Sequence, residues 1–161
     1  MIMQEAPETL AETYNQLMNF AEDGIVGAAE AMPADKYNFA PTHGDFQGVR
    51  TFADQVKHLS QANYVFFLSW NVPGAVKNED IEKLTSKDDL VKALRDSYVH
   101  AHKAIDTLTP ANYLEPSSFG PAKSTCAGAA AFAIAHSMDH YGQMVQYLRM
   151  NGIVPPASRK S

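Results

Sequence analysis

His136 and His140, four residues apart, form the pair in this sequence best suited to chemistry. At about 100° per residue, His140 lies about 40° from His136 on a helical wheel and Gln143 about 20° to the other side. Phe132, Ala129 and Tyr147 also fall within about 40° of His136. The stripe is apolar toward its N-terminal end and polar where the histidines sit. Side chains one turn apart lie on one face, so both imidazoles can reach one divalent ion, and neutral imidazole is the commonest side-chain metal ligand. The same spacing also suits two histidines that face solvent or are satisfied within a core. Two ligands need a third, and His58 is the best placed. It stands at the edge of another apolar helix face, and metal sites in bundles are built from facing helices.

The remaining candidates are weaker. His100 and His102 are two apart, so on a helix they point in different directions, which predicts that at least one faces water. His43 sits in a loop with Pro41, Gly44 and Gly48 and could line a cleft. Cys126 stands in the first turn of the last predicted helix, where a thiol pKa can be lowered. It is more than two turns from His136, which favours a small buried residue. Gln143, Asp139 and Asp54 could orient the ligands from behind, although Asp139 could equally face water and Asp54 is already explained as part of a helix cap. Because Cys126 is the single cysteine, neither an intrachain disulfide nor a cysteine-based zinc site is possible.

Four helical segments must carry these residues. The first runs from about Glu8 to Ala31, with Leu10, Tyr14, Leu17, Phe20, Ile25 and Ala28 at helical spacing. The second starts at Thr51, with Asp54 three residues later in a variant of the capping box. It carries Phe52, Val56, Leu59, Phe66 and Trp70 on one face, with Phe66, Phe67 and Trp70 read as core, and stops at Asn71, Pro73 and Gly74. The third begins at Ser86, where Asp88 and Asp89 suit the helix dipole, and runs through Leu90, Leu94, Tyr98, Ala101 and Ile105 to Leu108 before Pro110. Residues Glu115 to Lys123 read as a loop. The fourth helix starts at Ser124 or Thr125 and ends at Asn151-Gly152. No strand alternation is visible. The expected fold is all-α, an antiparallel four-helix bundle, in one domain over residues 1–161 with a core from about 8 to 152 and a flexible tail from 153 to 161. The long loop before the second helix leaves the topology open.

With 161 residues, 45% apolar and 19% charged, the chain has a composition ordinary for one globular domain. A net charge of -5 and a tail basic only at Arg159-Lys160 argue against nucleic acid, which is bound through clustered Lys and Arg. No run of about 18 apolar residues predicts a membrane span. The start Met1-Ile2-Met3-Gln4-Glu5 lacks the features of a leader, so a cytoplasmic location is expected, or an exported one if a leader has been removed.

The run His136-Ser137-Met138-Asp139-His140-Tyr141-Gly142-Gln143 resembles the H-x-x-x-H-x-G-Q signature of the DinB-like family, also called the DinB/YfiT-like metalloenzymes. Phe52-Ala53-Asp54-Gln55-Val56-Lys57-His58 looks like that family's second-helix motif, which ends in its first metal-ligand histidine. Pro41, the Thr51-Phe52 start and Ala31-Met32-Pro33-Ala34-Asp35-Lys36-Tyr37 also fit, so the resemblance spans nearly the whole chain. It implies a four-helix bundle whose His58, His136 and His140 bind zinc, nickel or a similar ion. Gln143 matches the family's Gln, which is not a ligand. Many members have Arg where this chain has Tyr141, so an anion contact made by that Arg is in doubt. The resemblance further implies a homodimer and, from some relatives, a transferase that uses a low-molecular-weight thiol such as bacillithiol or mycothiol.

Three functions follow as expectations. In the first, the three-His ion activates a small thiol for transfer to a small-molecule substrate, since a coordinating thiol is deprotonated. In the second, the ion activates water for hydrolysis, with Asp139 the nearest candidate base. In the third, a non-catalytic, stress-related bundle uses the metal for stability.

Overall fold

The computed structural model describes residues 6–42, 47–119 and 121–159; His43 lies outside them. Five helices are present among the described residues: α1 (Leu10–Ala31), α2 (Phe52–Phe66), α3 (Asn78–Glu82), α4 (Lys87–Ile105) and α5 (Cys126–Met150). None is long and apolar enough to cross a membrane.

The starts of the long helices are written locally. Thr9 and Glu12 form a capping box for α1, and Thr51 and Asp54 form one for α2. Ser86 caps α4 through the Asp89 N–H, and Thr125 caps α5 through the Gly128 N–H. Each such cap satisfies a backbone donor that helix geometry leaves unpaired and is worth about 0.5–2 kcal/mol. At the far end of α5, Gly152 takes φ 71°, a left-handed conformation glycine adopts without strain. The N–H of Ile153 then closes on the carbonyl of Leu148 at 3.0 Å.

Helix α1 packs on α4 and α5, and α2 packs on the same two helices. Consecutive α1 and α2 therefore stand diagonally, and the loop between them crosses the bundle. Tyr37 and Phe39 of that loop accept from the N–H groups of Ala53 and Phe52 at 2.8 and 2.9 Å. The Tyr147 hydroxyl of α5 donates to the Arg50 carbonyl at 2.9 Å. These bonds fix where α2 begins relative to α5, and so fix the height of His58 beside the two helix-α5 histidines.

The core is filled by Phe52, Leu59, Leu94, Tyr98, Ile105 and Met144, all fully buried. Its polar atoms are paired, as burial requires: Asn63 donates to Ser97 at 3.1 Å and Tyr98 to Ser137 at 3.3 Å. The predicted faces of α2 and α4 are the buried ones, although Trp70 is only half-buried. On α1 the prediction was partly wrong. Leu17 and Phe20 are exposed, and Met18, Ala21, Ile25, Ala28 and Ala29 face the core. Both stripes have helical spacing, and the packing against α4 and α5 selects the one rich in small residues, where helices can approach closely.

Two further differences concern connections. Helix α2 ends at Phe66, and a separate 3-10 turn, Leu68–Trp70, precedes Asn71 in the left-handed region. Residues expected to be loop form a hairpin, β1 (Pro116–Phe119) with β2 (Ala122–Thr125), antiparallel with Pro116 opposite Thr125. Its strands are four residues long and have no apolar alternation, so their signal lies in pairing rather than in pattern. Ser117 anchors it by accepting from the Trp70 indole at 2.8 Å. The same segment completes the start of α5, where Cys126 and Ala127 donate to the carbonyls of Glu115 and Tyr113, each at 3.0 Å. A 3-10 turn in the tail, Pro156–Ser158, packs on α1, with Pro155 buried and Pro156 close to Gly27.

Candidate metal centre

Helices α2 and α5 lie side by side and bring three histidines together. His58 comes from the second turn of α2, and His136 and His140 from successive turns of α5. Ring nitrogens of the three all lie within 4.8 Å of one another. The ring centroids stand 4.5 to 5.0 Å apart, and the Nε2 atoms of His58 and His136 are 3.1 Å apart. Such a group could hold a metal ion.

The three rings differ in how they are supported. Nδ1 of His140 bonds Oε1 of Gln55 at 2.7 Å. Gln55 in turn donates from Nε2 to Oε1 of Gln143 at 2.9 Å, and Gln143 donates from Nε2 to Oδ2 of Asp139 at 2.9 Å. Nδ1 of His136, by contrast, is buried with no hydrogen-bond partner.

All three histidines are held as neutral rings. Burial pushes each pKa down from 6.5 to about 4. Neighbouring positive charge adds to this, from Arg50 and His136 on His58, from His140 on His136, and from His58 on His140. Asp139 opposes it at the two helix-α5 rings. Neutral rings keep a lone pair free, which is the state a metal ligand needs.

One side of the cluster is open. A cleft of about 340 Å³ reaches His58 and His136 between Ala62, Val65, Phe66 and Phe132. Its aromatic wall is built jointly by α2, α5 and the hairpin. Phe132 stacks on Phe119 at 4.9 Å, both meet Phe66 edge-on, and Phe66 meets the His136 ring at 5.0 Å.

Of the sequence candidates, Gln143 and Asp139 reach the cluster through Gln55. Asp54 does not: its carboxylate accepts from the Thr51 N–H and hydroxyl, so it serves the helix cap alone. Cys126 is half-buried, and burial together with Glu115 pushes its thiol pKa up rather than down. His100 and His102 point in different directions as expected, and His102 is only partly exposed rather than fully solvated. His100 is buried against the Tyr64 ring, and His102 is bonded to Asn15 and Glu22 on α1. Tyr141 lies over Gly24 of α1, on the flank of α5 turned to that helix.

Three contributors were not picked out from the sequence. Gln55 stands one turn before His58, and that spacing was its available signal. Phe119 reaches the site only through the hairpin, and Arg50 only through the start of α2. Neither carries a local signature.

The profile of the DinB superfamily matches residues 18–144. A DinB-like protein from Bacillus cereus superposes with a TM-score of 0.77 at 16% identity, covering 90% of this chain and 95% of the other. The DinB-like protein YjoA from Bacillus subtilis gives a TM-score of 0.69 at 16% identity, covering 92% and 99%. No curated protein sequence matches.

Proposed function

This chain belongs to the DinB superfamily, and from that premise we propose that it is a metal-dependent transferase, its ion held by His58, His136 and His140. The reaction we assign to it moves the sulfur of a low-molecular-weight thiol onto an electrophilic carbon. The observation that carries the reading is the convergence of three neutral imidazoles beside an open apolar cleft.

The residues fit a divalent ion. Nitrogens about 2.0–2.1 Å from one tetrahedral zinc ion stand roughly 3.3 Å apart, within a few tenths of an ångström of the 3.1 Å between the Nε2 atoms of His58 and His136. Without an ion, one of those atoms must carry a proton toward the other, and His136 then leaves its buried Nδ1 unpaired. Three imidazoles suit zinc and nickel alike, and these are the ions to supply first. When bound, the ion supplies positive charge that lowers the pKa of a thiol and leaves coordination positions open to it.

The chain's own residues do the rest. Gln55 holds the His140 ring. Phe66 and Phe132 form the apolar wall of the cleft and receive the apolar part of an electrophile. In the transfer a carbon–sulfur bond forms, the leaving group departs with its bonding electrons, and the thiol proton passes to solvent. Hydrolysis is less well supported. No carboxylate lines the cleft among the described residues, and Asp139 is tied to Gln143.

Elemental analysis tests the metal, and turnover with and without added thiol tests the reaction. The expected result is about one equivalent of metal, lost in His136→Ala/His140→Ala, with turnover of electrophiles only when a thiol is present. Absence of metal after incubation with zinc and nickel would overturn the site. Turnover independent of thiol would replace transfer by hydrolysis.

A further inference from the structure

The hydrogen bonds behind His140 run in one direction, and a carboxylate ends them. Ionised, the Asp139 carboxylate can only accept, so Gln143 must turn its NH2 toward it. That places the Gln143 carbonyl against Gln55, which must then present its own NH2 there and its carbonyl to His140. A carbonyl can only accept, so Nδ1 of His140 must carry the proton. The lone pair of that ring is thereby left on Nε2, the nitrogen not engaged by Gln55.

We propose that Asp139, acting through Gln143 and Gln55, sets the tautomer of His140 and so makes that ring competent to bind the ion. The inference rests on the metal reading for its consequence, but the tautomer itself is a property of the metal-free chain. Asp139, Gln143 and Gln55 are positioning residues. Without the carboxylate both amides can turn over together, and every hydrogen bond in the relay is then remade in the opposite sense. Gln55 would donate to an unprotonated Nδ1, Nε2 would carry the proton, and the ring could no longer ligate through it. Two amides alone are indifferent between the two senses, and the charged end group chooses. The relay serves one ring only, since Nδ1 of His136 has no partner.

The test separates the relay from the simple attraction of Asp139 for a cation. Gln143→Leu keeps the Asp139 charge and breaks the relay. Gln55→Glu/Gln143→Leu then places an acceptor-only carboxylate directly against His140. The tautomer is read by ¹⁵N chemical shifts of the histidine rings in metal-free protein, and zinc affinity by competition with a chromophoric chelator. In the wild type His140 is expected with the proton on Nδ1. Gln143→Leu and Asp139→Asn should each give a mixed population and weaken zinc roughly 10- to 100-fold, the usual effect of losing an outer partner of a ligand. The double variant should restore both readings.

A wild-type His140 with its proton on Nε2, or a Gln143→Leu variant unchanged in tautomer, would overturn the relay. So would a double variant that stays mixed. If the wild type binds no zinc, the metal reading fails, while the ring shifts still decide the relay.

Discussion

Nε2 of His58 and Nε2 of His136 face each other at 3.1 Å, although 78 residues separate them in the chain. Two lone pairs cannot share that space comfortably, so either a proton or an ion must lie between the two rings. An N–H donated from one ring to the other satisfies that pair in the metal-free chain, and an ion held by all three rings would add its binding energy to the folded state alone.

Zinc should therefore stabilise the protein. At free zinc 100 times its dissociation constant the gain is about 2.7 kcal/mol, which for a domain of this size raises the melting temperature on the order of 5–10 °C. His58→Ala should abolish the rise. His102→Ala should keep it, since His102 is bonded to Asn15 and Glu22, away from the cluster. An equal rise in wild type and His58→Ala, followed by scanning calorimetry, would place the ion elsewhere.

The metal-free protein should be sensitive to acid. His58, His136 and His140 titrate at about 4 when folded, against the ordinary 6.5. Between those values the unfolded chain binds more protons, so stability falls as pH drops from about 6.5 to about 4 and is unaffected by these groups above that window. The charges acting on the cluster are Arg50, Asp139 and the histidines themselves. Arg50→Gln removes a positive charge, raises the folded values and should soften the loss. Urea denaturation at about pH 7 and about pH 5 measures it, and identical pH dependence in a variant lacking all three histidines would refute the assignment.

Phe132 should matter for substrate as well as for stability. Its side chain is 46% exposed and is held by stacking on Phe119. Phe132→Ala should cost about 1–3 kcal/mol, the ring contacts together with the partly buried area, leave zinc affinity unchanged and raise KM for apolar electrophiles several-fold. Unchanged KM across a series of electrophiles of increasing apolar size would remove Phe132 from the binding wall.

Asp54 and Asp139 should behave oppositely. Asp54 bonds Thr51 at the start of α2, so Asp54→Ala should destabilise the fold by about 1 kcal/mol and leave zinc affinity within about twofold, in contrast to the loss of an outer partner of a ligand. A large loss of zinc affinity in Asp54→Ala, measured by the same chelator competition, would show that the cap and the site are coupled.

Much of this protein is determined by short-range sequence. Thr51 with Asp54, Ser86 and Thr125 mark helix starts because a capping bond is made within three residues. Gly152 marks a helix end because φ 71° asks for no side chain. The spacing of His136 and His140 puts both on one face because helix geometry is fixed by the backbone, and the family motif points to His58 as their partner.

What only the tertiary structure decided concerns choices between locally equivalent alternatives. Leu17 with Phe20 and Met18 with Ala21 are equally good helical stripes, and the approach of α4 and α5 selected the second. Ser117 and Phe119 have no strand pattern of their own, and pairing with β2 and the Trp70 anchor made the hairpin that completes the aromatic wall. Gln55 is an ordinary polar residue on its own helix. It becomes the link to His140 because α2 and α5 meet at a height fixed by the contact of Tyr147 with Arg50. Backbone geometry acts over a few residues and can be read from sequence, whereas the register between two helices depends on the packing of the whole bundle.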